Sequence, residues 1–219
     1  FPEITKEVLE KLKEKCSVHT SLGDGKYRVD LKPVRIQGIG EAEELFGAEE
    51  TANEMIAVYL FDETEILRCR QEINDQKMVA GLIYLDNYDE ALESVEEVRR
   101  SLLTALIDRK INKYISGMNG ITKKLEKDKY FFAIKQRYVQ ELRDNRFSLL
   151  EEVKTVNIGN EMAVTLSIGL GMGGETYGQN YEFSRMAIDM ALGRGGDQAV
   201  IKSAEKIEYF GGKSQQAEK

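Results

Sequence analysis

The sequence predicts an α+β fold: a small antiparallel sheet unit, a linking helix, and then a ferredoxin-like sheet carrying helices on one face. Three observations carry this expectation. Met78–Leu85 is a nearly continuous apolar run, the pattern of a strand buried on both faces. Apolar residues between Ala91 and Ile115 recur at helical spacing. From Met78 onward the strand and helix signals follow the order β-α-β-β-α-β with an appended αβ, which is the ferredoxin-like order.

Taken in order, residues 5–15 place Val8, Leu9 and Leu12 on one helical face, with Thr5 and Glu7 supplying N-terminal capping chemistry. Gly23-Asp24-Gly25 signals a turn. Residues 27–36 then alternate with period 2, as in a half-buried strand, and Pro33 points to an edge or a bulge. A Gly- and Glu-rich loop leads to a second strand at 54–61. The charged helix that follows, from 62 to about 77, has a short apolar stripe (Ile66, Leu67, Ile73) that fits a parallel coiled coil and a solvated connector equally well. In the second unit, Ala91, Val95, Val98, Leu102, Ala105, Leu106, Ile111 and Ile115 predict one long helix ending near Gly117. Residues 121–125 and 130–134 read as hairpin strands around the charged turn Glu126-Lys127-Asp128-Lys129. A helix over 136–153, a strand over 162–170, a helix over 181–194 and a strand over 198–202 complete the pattern.

Composition excludes several classes. The 219 residues carry a net charge of −7, 42% hydrophobic and 32% charged residues and 2 Pro, which is ordinary globular composition and far from that of disordered chains. No apolar run approaches the roughly 18 to 20 residues of a membrane helix. Excess acid without a basic stripe argues against nucleic acid as a partner. Cys16 and Cys69 have no metal-like spacing and read as reduced and structural. A single histidine, His19, leaves little for a zinc site or a nucleophile–histidine relay. The chain opens on Phe1-Pro2-Glu3-Ile4 and closes on the polar stretch from Gly211 to Lys219, so it reads as a segment of a longer protein, and no targeting peptide is visible.

Three stretches are distinctive: Leu85-Asp86-Asn87-Tyr88-Asp89-Glu90 at a strand end, Leu166-Ser167-Ile168-Gly169, and Ala191-Leu192-Gly193-Arg194-Gly195-Gly196-Asp197-Gln198-Ala199-Val200. Together they resemble the modified GGDEF domain of GdpP-type (YybT family) cyclic-di-AMP phosphodiesterases. Tyr27-Arg28-Val29 and Tyr59-Leu60-Phe61-Asp62 look like the C-terminal half of the PAS domain that precedes it in that family. The resemblance implies a division into part of a PAS-like sensor (1–62), a helical linker (63–77), a degenerate GGDEF domain of the cyclase-palm type (78–204) and a linker to a further domain (205–219). It implies a parent held at the cytoplasmic face of the bacterial membrane by upstream helices. The parent would hydrolyse cyclic-di-AMP to linear pApA in DHH and DHHA1 domains that hold manganese. Those domains are outside this sequence, which has no Asp-His-His.

Active GGDEF cyclases need a carboxylate at the first strand end, a second acid in the hairpin, and an Asn and an Asp that read guanine. The resemblance puts Tyr84 at the first of these positions, keeps Asp128 at the second, and leaves Leu92 and Ser101 at the guanine-reading positions. Glu126-Lys127-Asp128-Lys129-Tyr130 replaces the signature glycines with bulk and charge where phosphates would lie. Gly117-Met118-Asn119-Gly120 stands in place of the inhibitory Arg-x-x-Asp site. A diguanylate cyclase is therefore not expected. What remains is binding or slow hydrolysis of an ATP-like nucleotide at Asp86, Asn87 and Asp128, with Asp86 and Asp128 holding Mg²⁺ or Mn²⁺. The alternative is an active GGDEF-like nucleotide cyclase or ATPase. The bland readings stand beside these: Asp86 as the N-cap of the next helix, Asp128 as a solvated hairpin tip, Gly193-Arg194-Gly195-Gly196 as a helix C-cap, and His19 as a surface histidine, not the ligand of a haem that the family associates with the PAS domain. A homodimer is the expected assembly.

Overall fold

The computed structural model describes residues 16–35 and 54–211; the helix expected at 5–15, the loop before 54 and the tail after Gly211 lie outside the described residues. The chain divides into two units, 1–73 and 74–219.

The first unit is an antiparallel sheet of β1 (Cys16–Leu22), β2 (Gly25–Arg35) and β3 (Glu54–Asp62), in that spatial order. β1 is an addition to the strands read from sequence. Its inward positions, Cys16, Val18 and Thr20, are small or polar, so their period-2 alternation carries almost no hydrophobic signal. Val29 lies between Val18 and Leu60 in the register, and Val29 and Leu31 are fully buried. Buried Asp30 is held by the Ser17 hydroxyl (2.8 Å) and the Arg28 guanidinium (2.6 Å), which together offset its loss of hydration. Pro33 lies in β2, the middle strand, opposite Ile56 of β3.

α1 (Thr64–Gln76) starts where Asp62 accepts the Thr64 amide (2.9 Å) and the Thr64 hydroxyl oxygen accepts the Lys26 amide (2.8 Å). It buries no residue. Ile66, Leu67 and Ile73 all stand exposed along it.

The second unit is a six-stranded sheet in the order β5-β6-β4-β7-β8-β9, from β4 (Met78–Leu85), β5 (Ile121–Lys124), β6 (Lys129–Lys135), β7 (Leu166–Gly171), β8 (Gln198–Lys202) and β9 (Ile207–Gly211). The first four strands in sequence alternate antiparallel, as the ferredoxin-like order requires, and β8 then adds parallel to β7. Val79, Ile83 and Leu85 of β4, with Leu166, Ile168 and Leu170 of β7, face a core closed by α3 (Glu97–Gly117), α4 (Val139–Asp144) and α5 (Leu149–Lys154). Helices cover both faces, not one. α6 (Tyr177–Gly193) lies on the opposite side, so close that a Cβ on Gly169 would sit 2.4 Å from the Ile188 nitrogen and one on Gly171 1.9 Å from the Asn180 carbonyl oxygen. Alternation along β7 puts these glycines on the face away from Ile168 and Leu170.

Both long helices read from sequence are interrupted. The first divides into α2 (Tyr88–Glu93) and α3: the Ser94 hydroxyl turns back onto the Ala91 carbonyl (2.8 Å) and Glu96 is extended. The break resets the helical phase. The buried stripe of α3 is Leu103, Ile107, Ile111 and Ile115, while Val98 and Leu102 face solvent. The second divides around Arg146 and Phe147, both in the left-handed region, which lets the chain bury Phe147 with its ring 5.2 Å from that of Phe210. Phe210 belongs to β9, which forms inside the stretch assigned to a linker from 205. β9 pairs with β8, and Glu208 accepts from Arg143 of α4 at 2.9 Å. The strand expected from 162 begins at Leu166, because Asn87 and Asn160 bind the backbone of the preceding residues in an irregular path.

Candidate functional site

The C-terminal end of β4 brings together the β5–β6 hairpin tip, the start of α2 and the turn between α6 and β8. The hairpin is fixed to this end by the Leu85 amide, which donates to the Asp128 carbonyl at 2.9 Å. On β6, Lys129 lies directly opposite Tyr84, its Nζ 5.4 Å from the centre of the Tyr84 ring. Burial pushes the Tyr84 phenol up, against the pull of Lys129, so this side chain stays neutral where a cyclase needs an anion.

The hairpin cations are matched within the site. Lys127 bonds both oxygens of Asp89 on α2 (2.7 and 2.8 Å), and Lys129 bonds Glu126 (2.9 Å); these bonds hold both ammonium groups above their usual range. Lys124 meets Asp108 at 3.0 Å, and Asp108 also accepts the hydroxyl of buried Tyr130. Asp128 is half-buried between Lys127 and Lys129.

Asp86 points the other way. Its Oδ1 accepts the Ser167 hydroxyl (2.7 Å) from β7, and its Oδ2 accepts the Asp197 amide (2.8 Å) just before β8. The turn that delivers this amide is a run of three left-handed residues, Gly195, Gly196 and Asp197 (φ +101°, +74° and +54°). A Cβ on Gly196 would lie 2.8 Å from the Asp86 carboxylate, so only glycine lets the backbone approach this closely. Asp197 bonds Lys154 through Oδ2 (2.7 Å) and leaves Oδ1 buried without a hydrogen-bond partner among the described residues. The helix C-cap reading of 193–196 holds: Gly195 and Gly196 donate to the Leu192 and Ala191 carbonyls. Its second role, seating Asp86, is not legible from the sequence, and neither are Ser167, Asp197 and Lys154. The sole signal is Gly-Gly-Asp directly after a helix.

Asp86 is not the cap of α2. Asn87 occupies that position and makes no side-chain cap; its amide instead spans the Ala163 carbonyl (2.9 Å) and the Thr165 amide (2.9 Å). Leu92 packs against the core and Ser101 is exposed, so neither presents a paired hydrogen-bonding edge to a base. Among the described residues no group of three or more His, Cys, Asp or Glu is placed to hold a metal ion. A two-metal cyclase centre does not fit this donor set, because Asp86 is engaged on the β7 and β8 side of β4 and Asp128 lies on the β6 side. His19 in the first unit has a 71% exposed side chain with Nδ1 3.5 Å from Glu63, which suits a surface histidine and not a haem ligand. Cys16 is half-buried and Cys69 exposed; neither forms a disulfide.

The family model described as "Cyclic-di-AMP phosphodiesterase GdpP-like, GGDEF domain" matches residues 83–209. The chain belongs to this family. The cyclic-di-AMP phosphodiesterase GdpP of Geobacillus thermodenitrificans is 30% identical over 163 residues, covering 74% of this chain and 25% of the relative. PdeA of Listeria monocytogenes, also named a cyclic-di-AMP phosphodiesterase, is 31% identical over the same shares. This GGDEF-type chain thus spans about a quarter of the length of the curated relatives it matches. A solved diguanylate cyclase/phosphodiesterase from Caldicellulosiruptor saccharolyticus superposes with a TM-score of 0.50 at 16% identity, covering 66% of this chain and 87% of that one, and shows the shared fold. The family match ends at residue 209, within β9 (Ile207–Gly211).

Proposed function

We propose that the chain is the sensing and regulatory segment of a membrane-held cyclic-di-AMP phosphodiesterase, and that its GGDEF-type domain has no cyclase activity. The observation that carries this is the end of β4, where a neutral Tyr84 stacks under Lys129 and the hairpin charges neutralise one another. Residues 1–62 supply the C-terminal part of a PAS-type sensor. α1 runs on from β3 toward β4, so ligand occupancy on either side biases one continuous helix and, through it, the hydrolase that follows in the parent. The exposed stripe Ile66, Leu67 and Ile73 supports a homodimer along α1. The parent acts at the cytoplasmic face of the membrane, converting cyclic-di-AMP to pApA on manganese in its DHH and DHHA1 domains.

An ATP-like nucleotide at Asp86, Asn87 and Asp128 is the reading retained for the strand end. One Mg²⁺ or Mn²⁺ brought by the phosphates, with Asp128 as its protein ligand, is what the hairpin side of this strand end offers, since Mg²⁺ commonly takes one or two carboxylates and fills its sphere with phosphate and water. Incubating the purified chain with ATP or GTP and either metal tests both parts. The expected outcome is no cyclic dinucleotide and a metal-dependent thermal stabilisation by ATP that Asp128→Asn abolishes. Substantial cyclic dinucleotide formation overturns the regulatory reading; metal-dependent stabilisation unchanged by Asp128→Asn overturns the nucleotide site.

A further inference from the structure

A cavity of about 640 Å³ lies between the C-terminal half of α3 and the end of α5, on a different part of the domain from the β4 end. Its volume is that of a small-molecule site. Arg109, Lys110 and Lys113 line one wall, and none of their side chains makes an ion pair or hydrogen bond among the described residues. Lys124, Lys127, Lys129, Lys154 and Arg143, by contrast, are each matched to a carboxylate. Arg109 and Lys113 are four residues apart and Lys110 and Lys113 three, so like charges share one helix face, an arrangement that weakens a helix unless an anion answers it. The acid on the lining, Glu152, is already engaged by the Ser148 hydroxyl at 2.9 Å. The rest of the lining mixes apolar and polar groups: Leu106, Val156 and the ring of Tyr114, whose phenol burial keeps neutral, beside Gly117, Thr155 and Asn157.

From this division we infer that the cavity binds a phosphorylated nucleoside, with phosphates on Arg109, Lys110 and Lys113 and the base against Tyr114, Leu106 and Val156. Three convergent cations suit a di- or triphosphate, for which Arg and Lys donors form charge-assisted bonds. The apolar groups beside them add affinity for a planar base that inorganic phosphates cannot use.

Isothermal titration of the 219-residue chain in EDTA, which silences any metal-dependent site at the β4 end, separates the sources. ATP is expected to bind, inorganic pyrophosphate to bind more weakly and adenosine not at all. Rising salt should weaken the phosphate-bearing probes. Arg109→Gln combined with Lys110→Gln and Lys113→Gln should cost about tenfold or more in ATP affinity, a loss of at least one charge-assisted bond, with Arg109→Gln alone intermediate. Asp128→Asn should leave it unchanged. All three substituted side chains reach solvent, so a melting curve like that of the wild type confirms the variants fold. No ATP binding in EDTA, or binding indifferent to the triple substitution, overturns the site; pyrophosphate binding as tightly as ATP overturns the nucleoside assignment.

Discussion

Removing the Asp86 carboxylate tests whether that side chain serves the fold of the second unit. Asp86→Ala deletes two charge-assisted hydrogen bonds, to the Ser167 hydroxyl and the Asp197 amide, and strands the Ser167 hydroxyl, which is fully buried. A bond to a charged acceptor contributes about 1.5–3 kcal/mol, and the half-exposed position of Asp86 argues for the lower end, so the loss should be about 2–4 kcal/mol. For a domain of this size each kcal/mol moves the melting temperature by about 2–4 °C, so a fall of about 5–15 °C is expected. Asp86→Asn should cost less, about 1 kcal/mol, because its carbonyl oxygen still accepts the Asp197 amide and its NH₂ group donates to the Ser167 oxygen. Differential scanning calorimetry, with amide exchange in β4 and β7 to assign the transition, measures the series. Wild-type melting for Asp86→Ala, or a rise in melting temperature for both variants, would refute the reasoning and point to a carboxylate kept for a ligand at the expense of stability.

Three further outcomes follow from the geometry. Gly169→Ala drives a Cβ into the backbone of α6 at Ile188 and Ser184, where nothing flexible can yield; overpacking there should cost about 3 kcal/mol or more, read as loss of soluble protein or of the cooperative melt. Glu208 has its carboxyl held below the usual range by Arg143 and Lys206, although burial opposes this. A depressed carboxylate stabilises the fold above its unfolded pKa and loses that contribution as pH falls through the folded value, so wild-type stability should fall between about pH 5 and 3 and Glu208→Gln should flatten that slope in urea melts. Burial, then the bond to Asp108, pushes the Tyr130 phenol up; a raised acid stabilises below its unfolded pKa and loses this as pH rises, so alkaline unfolding above about pH 10 should be delayed in Tyr130→Phe relative to wild type.

The strands were legible where burial was two-sided or alternation was strongly hydrophobic. Met78–Leu85 and Gln198–Lys202 appear with the bounds their sequence suggests, because a buried strand writes a continuous apolar run. β1 and β9 were not, for opposite reasons. β1 alternates with Cys, Val and Thr inward, too polar to register, and β9 is short, with Ile207 and Tyr209 outward and Glu208 inward on Arg143. The break around Arg146 and Phe147 was invisible because a tertiary contact, Phe147 with Phe210, decides it, and the break after Glu93 because a single local bond, the Ser94 hydroxyl on the Ala91 carbonyl, outweighs the apolar spacing. At the candidate site the sequence located Asp86, Asn87 and Asp128 at one strand end but could not show which way Asp86 points. That direction depends on an amide 111 residues away and on the left-handed run that presents it.

The two sides of β4 differ in what each contributes to the framework. A phosphate-binding turn works because open backbone N–H groups and unpaired cations face the ligand. On the β6 side here, Lys127 and Lys129 are satisfied by Asp89 and Glu126, so an arriving phosphate would have to break existing pairs before forming its own. On the β7 and β8 side, the Asp86 carboxylate joins three strands through Ser167 and Asp197, and Lys154 extends that connection to α5. Drift at the hairpin therefore leaves the sheet intact, whereas drift at Asp86, Gly196 or Ser167 removes a contact the sheet uses. An acid at such a strand end need not be kept for a metal: in this domain its hydrogen bonds to Ser167 and Asp197 alone give a reason for it to stay.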